Sequence, residues 1–111
     1  MASSKEYLNY ILEQLSGLDE ITYRQMMGEF ILYYRGKIIG GIYDDRLLVK
    51  PVKSAVFYMP TAVYEKPYDG AKDMLLVYEV DNKDFLTGLF HAMYSELPEP
   101  KVKKTARSKK L

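Results

Sequence analysis

Tyrosines interleaved with basic residues are the feature of this chain best suited to molecular recognition. There are 11 tyrosines in 111 residues, and Tyr33, Tyr34, Arg35, Lys37 and Tyr43 fall within one short stretch. Aromatic rings stack on bases and cations neutralise phosphates, so such a run could build a nucleic-acid platform. The same rings could cover a sheet with their hydroxyls in water. They could also anchor a protein partner, for which Tyr and Arg are favoured. Charge weighs between these uses. Residues 1–100 hold 10 basic against 15 acidic side chains, a net of −5, which disfavours an extended phosphate-binding surface. Tyr33, Arg35 and Tyr43 are therefore the candidate contact residues for a protein partner.

Other chemistry finds little footing. The chain has no cysteine, which excludes disulfides, thiolate metal sites and cysteine nucleophiles and suits a reducing cytoplasm. The lone histidine, His91, falls with Asp84, Thr87 and Ser95 on the polar side of a helical pattern, with no local nucleophile motif beside it. Asp44-Asp45 could bind a cation, but the pair fits a tight turn better. Glu29, Glu79 and Asp81 are scattered and define no acid–base pair. Gly40-Gly41 lacks any phosphate-loop pattern. No catalytic, metal or cofactor residue is assigned, and the chain is read as a non-enzyme, with a small-ligand binder or enzyme holding a pocket between the sheet and the last helix as an alternative.

The overall charge of +1 conceals an asymmetry. Lys101, Lys103, Lys104, Arg107, Lys109 and Lys110 give residues 101–111 a charge of +6 without one acid. Pro98 and Pro100 set this tail apart. It reads as a solvated, disordered appendage, with nucleic acid or an acidic partner as its alternative use. The expected organisation is one domain over 1–97 and a basic tail over 98–111. The N-terminus has no signal-peptide pattern and no apolar run is long enough to span a membrane.

The elements that must position the tyrosines follow from periodicity. Tyr7, Leu8, Ile11, Leu12 and Leu15 form one helical stripe, entered by Ser3 and Glu6 at capping-box spacing or by Ser4, and stopped near Gly17. Strands are predicted over Ile21–Met27, Phe30–Tyr34, Ile38–Tyr43, Arg46–Lys50 and Lys72–Val80. The first four form an antiparallel meander through turns at Gly28-Glu29, Arg35-Gly36-Lys37 and Asp44-Asp45. Glycines inside the third strand predict a bulge, a bend or a close helix. A short helix is expected over Val52–Met59, loop over Pro60–Ala71 with a short strand near Ala62–Tyr64, and a helix over Asn82–Leu97 capped by Asp81 or Asn82. Gly88 inside that helix implies close packing. The result is an α+β, two-layer fold: a curved antiparallel sheet of about five strands, helices on one face, and the other face partly open around Tyr33 and Tyr43.

The wording of the meander resembles a known family. Tyr23-Arg24-Gln25-Met26-Met27-Gly28, Leu32-Tyr33-Tyr34-Arg35-Gly36-Lys37, Gly41-Ile42-Tyr43-Asp44-Asp45 and Leu47-Leu48-Val49-Lys50 are similar to the N-terminal domain of TfoX/Sxy competence regulators. Met74-Leu75-Leu76-Val77-Tyr78-Glu79-Val80 resembles that family's later strand, and the likeness runs over about residues 4–97. Met27-Gly28-Glu29 replaces the usual Phe-Gly-Gly and implies a looser turn; Asp81 replaces a common proline, and the family's tryptophan is missing. The resemblance implies a secretion-chaperone-like α+β fold and a role in regulating competence. It brings no catalytic residues. The longer regulators add a C-terminal domain and act with a cyclic-AMP-receptor-type activator, whereas these 111 residues stop short of one. The expected partners are a protein, such as a regulator or the transcription machinery, and a second copy bound through a sheet face or edge.

Overall fold

Helix α1, Lys5–Gln14, starts where Ser4 Oγ accepts a hydrogen bond from the Tyr7 N–H at 3.1 Å. Ser4 is therefore the cap, and Ser3 is freed for another task. The helix ends at Leu15, before Gly17; Gly17 instead lies close to Thr87 of the last helix. The computed structural model describes residues 3–98. The tail residues Lys101, Lys103, Lys104, Arg107, Lys109 and Lys110 lie outside the described residues.

The meander forms as its alternation dictates. Strands β1 (Ile21–Met26), β2 (Glu29–Tyr34), β3 (Lys37–Ile42) and β4 (Leu47–Val49) pair antiparallel in sequence order. Each connection is a two-residue turn with positive φ at both positions: Met27-Gly28 at 53° and 84°, Arg35-Gly36 at 53° and 85°, Asp44-Asp45 at 53° and 55°. That backbone matches the right-handed twist of the strands it joins. The turn at Met27-Gly28 is thus as tight as a hairpin can be, not loosened by Glu29. The sheet has six strands rather than five, in the order β1-β2-β3-β4-β6-β5. The sixth is the short strand expected near Ala62–Tyr64: β5, Tyr64–Glu65, which pairs with β6, Met74–Leu76. Beyond Leu76 the chain leaves the ladder after the Val77 N–H bonds to the Leu47 carbonyl, so β6 is shorter than its sequence pattern.

A bulge interrupts β3. The register shifts between Leu32 and Tyr33, which face Gly40 and Ile38 and leave Ile39 as the extra residue. Ile39 joins the core while Ile38 pairs with Tyr33 on the opposite face. Gly40 follows at once because nothing larger fits: a Cβ there would lie 2.1 Å from the Leu48 carbonyl oxygen. The close neighbour is a strand, not a helix.

Helices cover one face. Helix α2 is Lys53–Tyr58 and α3 is Lys83–Met93, continued by a 3₁₀ turn at Tyr94–Glu96. Asn82 caps α3, its Oδ1 accepting from the Phe85 N–H at 3.0 Å. Leu8 and Ile11 of α1, Leu15 at its C-cap, and Leu86, Leu89, Phe90 and Met93 of α3 close over Phe30, Leu32, Tyr34, Ile42, Leu47, Val49 and Leu75 of the sheet. Gly88 lets Tyr58 approach α3, whose hydroxyl would stand 3.4 Å from a Cβ. The start of α2 lacks a capping side chain of its own. Glu96 supplies the acceptor, its Oε1 2.9 Å from the Ser54 N–H, and that hydrogen bond holds its carboxyl below the usual carboxylate range. Among the described residues no helix is long and apolar enough to cross a membrane.

Candidate interaction surface

The uncovered face of the sheet carries the surface best fitted to recognition. Register places Arg24 and Met26 of β1, Glu29, Ile31 and Tyr33 of β2 and Ile38 of β3 on this side. A groove of about 400 Å³ opens here, lined by Met26, Met27, Glu29, Ile31, Tyr43 and Tyr68. Met27 stands at its rim with 95% of its surface exposed. Tyr68 reaches the groove from the loop between β5 and β6, and its ring lies 6.3 Å from that of Tyr43. These two tyrosines also line a second groove of about 490 Å³ that includes Ile38, Pro51 and Met74. They form the divide between the two depressions.

The three tyrosine–arginine candidates do not share one surface. Tyr33 is half-buried on the open face beside Ile38. Tyr43 keeps only 9% exposure, because its ring folds over Gly41, where a Cβ would lie 2.6 Å from Cε2. Burial raises the Tyr43 hydroxyl above the ordinary phenol range, and Tyr68, Glu29 and Tyr33 add to the shift. Arg35 turns toward the end of α3 instead. Its guanidinium sits 5.2 Å from the centre of the Tyr94 ring and 3.7 Å from Glu20. Lys37, only 8% exposed, places its ammonium 4.2 Å from the same ring and donates to the Tyr94 carbonyl at 3.3 Å. Tyr94 is the C-cap of α3, so both cations complement the negative end of that helix. The Arg35–Lys37 pair is therefore structural glue between the β2–β3 hairpin and α3.

Glu29 has a role that sequence reasoning passed over. Its Oε1 accepts from the Ser3 N–H at 3.1 Å, the Ser3 hydroxyl at 2.6 Å and the Asp44 N–H at 3.1 Å. Asp45 Oδ1 accepts from the Ser4 N–H at 2.8 Å, and the Asp45 N–H donates to Ser3 Oγ at 3.0 Å. The chain entering α1 is thereby pinned between two hairpin turns. Asp44 and Asp45 act as turn and clamp. Across the sheet, Arg46 pairs with Glu65.

His91 is exposed on the outer side of α3. Among the described residues no three His, Cys, Asp or Glu side chains gather as a metal site would require. The sheet–helix interface is filled by fully buried Leu86, Leu89, Phe90 and Met93. A cavity of about 180 Å³ lies at its margin, between Tyr58, Leu76, Tyr78 and Phe85. The groove residues Met26, Met27 and Ile31 left a sequence signal: β2 is apolar on both alternating faces, and two methionines sit beside a turn. Tyr68, in a loop with no periodicity, left none.

No protein-family profile matches the chain, and no solved structure matches it. The chain is similar to the uncharacterized 12.7 kDa protein in the trpE 5′ region of Spirochaeta aurantia, with 28% identity over 105 residues. The match spans 94% of this chain and 91% of that protein.

Proposed function

We propose that this chain is a small, non-enzymatic, cytoplasmic interaction module that binds a protein partner through the open face of its sheet. The regulatory setting is the one implied by its resemblance to TfoX/Sxy N-terminal domains: control of competence, through a regulator or the transcription machinery. One observation carries the reading. Met27 combines 95% exposure with a φ of 53°. That conformation costs an unbranched residue on the order of 1–2 kcal/mol, and Asn would suit the turn better. A long apolar side chain there contributes nothing to the core, whereas it rims an apolar groove. The only formal charge lining that groove is the Glu29 carboxylate. The fitting occupant is therefore an apolar segment of a neutral or basic protein, not a phosphate backbone.

The test replaces Met27 and Ile31 with Asp in the full chain and compares capture from the native cytoplasm and transformation frequency in the host. Wild type is expected to retain a defined protein that the variant loses, with transformation lowered; Phe57→Asp, away from the groove, should behave as wild type. Capture that is indifferent to the double variant, or absent at micromolar bait, would sink the reading.

A second reading rests on the +6 charge of residues 101–111: nucleic-acid binding through the tail. It expects DNA affinity that falls steeply with salt and vanishes on deleting residues 101–111. Absence of binding at low salt ends it.

A further inference from the structure

The geometry points to a homodimer formed by antiparallel pairing of β1 with β1 of a second copy, centred on Tyr23. The inference concerns an edge of the sheet and stands independently of the open-face reading.

The two edges of the sheet differ. One is β5, two residues long. The other is β1, six residues, paired only with β2 and without interruption of register. Met26↔Glu29 closes the first hairpin, and the Arg35 N–H donates to the Glu20 carbonyl at 2.9 Å. In an antiparallel ladder the inward and outward backbone groups alternate. Glu20, Thr22, Arg24 and Met26 thus turn theirs toward β2, while Ile21, Tyr23 and Gln25 turn theirs outward. No hydrogen bond reaches those outward groups among the described residues. Natural sheets blunt such edges with Lys, Pro, bulges or shortness. β5 is short, but β1, Ile-Thr-Tyr-Arg-Gln-Met, is six residues long, without Pro, Lys or bulge, and Arg24 is its one charge.

A two-fold axis normal to the sheet keeps both helix layers on one side. It requires odd-numbered residues to oppose odd-numbered ones. Centring on Arg24 would set two guanidiniums opposite each other in a close pair, which is unfavourable. Centring on Thr22 leaves Gln25 without a partner. Centring on Tyr23 pairs Tyr23 with Tyr23 of the second copy and Ile21 with Gln25 in both directions. Each of these pairs exchanges both backbone bonds, and Arg24 falls opposite Thr22. The strand is self-complementary in that register, as a symmetric interface demands. The second copy also extends the open face, since Met26 and Ile31 of both molecules then lie on one continuous side.

Sedimentation of the full chain tests the assembly, with cysteine cross-linking for the register. Twice the 12.9 kDa chain mass is expected. Gln25→Pro removes an outward N–H that the monomer does not use and is expected to give the single mass with an unchanged far-UV spectrum. The native chain has no cysteine among its described residues or elsewhere in its sequence, so a single introduced thiol reports alone. Tyr23→Cys is expected to form a disulfide-linked dimer on mild oxidation, the opposed Cα atoms standing about 5.5 Å apart. Gln25→Cys should not, because its two copies lie roughly 14 Å apart along the strands, four residues at about 3.4 Å each. Phe57→Cys, exposed on α2, is the collision control. A single mass at every concentration overturns the inference, as does cross-linking of Gln25→Cys or Phe57→Cys at the rate of Tyr23→Cys. Capture of a foreign strand by a monomeric chain overturns it equally.

Discussion

The two faces of β2 are written by alternating residues of one strand and have opposite fates. Phe30, Leu32 and Tyr34 are buried under α1 and α3, whereas Glu29, Ile31 and Tyr33 remain half-covered. Both sets are largely apolar, but folding consumes only the first. The monomer has the apolar stripes of two helices for one face and a single loop, carrying Tyr68, for the other. The apolar content of the open face is thus surplus to the core, and surplus of this kind marks contact surface. Closure of the open face is local: Tyr43 folds over Gly41, and Leu48 of β4, paired with Gly41, is fully buried there.

Substitutions can break or sharpen this contrast. Phe90→Ala, on the covered side, is expected to cost about 3–5 kcal/mol in denaturant unfolding, because it empties a fully buried ring site. Gly40→Ala should cost about 1–3 kcal/mol, since the new methyl meets backbone of β4 that has nowhere to move. Glu29→Ala is expected to cost roughly 1–2 kcal/mol, read in the same way, by orphaning the Ser3 and Asp44 donors; an unchanged midpoint would refute the clamp. Tyr43 gives a pH-dependent test. Its folded pKa is raised, so its contribution is complete below the unfolded value near 10 and is lost as pH rises through the folded one. Unfolding midpoints taken across alkaline pH should fall less steeply for Tyr43→Phe than for wild type. Smallest of all, Met27→Asn should leave stability within about 0.5 kcal/mol or raise it slightly. Its partner capture should nevertheless fall. A large destabilisation there would erase the distinction between the faces.

Much of this was legible in the sequence. Helical spacing marked the stripes of α1 and α3, and turn residues marked all three hairpins of the meander. The glycine pair marked the bulge, because only close backbone approach excuses glycine inside a strand. Other parts depend on distance along the chain. β5 has two residues and no periodicity, so its pairing with β6 could not be inferred locally. Arg35 was placed correctly in its hairpin, but its direction depends on Tyr94, far away in sequence. Glu29 looked like a fault in a turn because its partners, Ser3 and Asp44, come from separate elements. Local pattern fixes what a residue is near in sequence; its use was set by what the fold brought across.

The strand order carries a consequence for how the chain assembles. β6 follows β5 in sequence yet lies between β5 and β4. Until residues 74–76 arrive, β4 has an open side and β5 has no neighbour to join. β1 to β4 can zip through successive two-residue turns at small loop-closure cost, whereas the last two strands must dock across the α2 crossover. Folding kinetics should therefore show an early meander with its β4 border unsealed, and a later step that seals it.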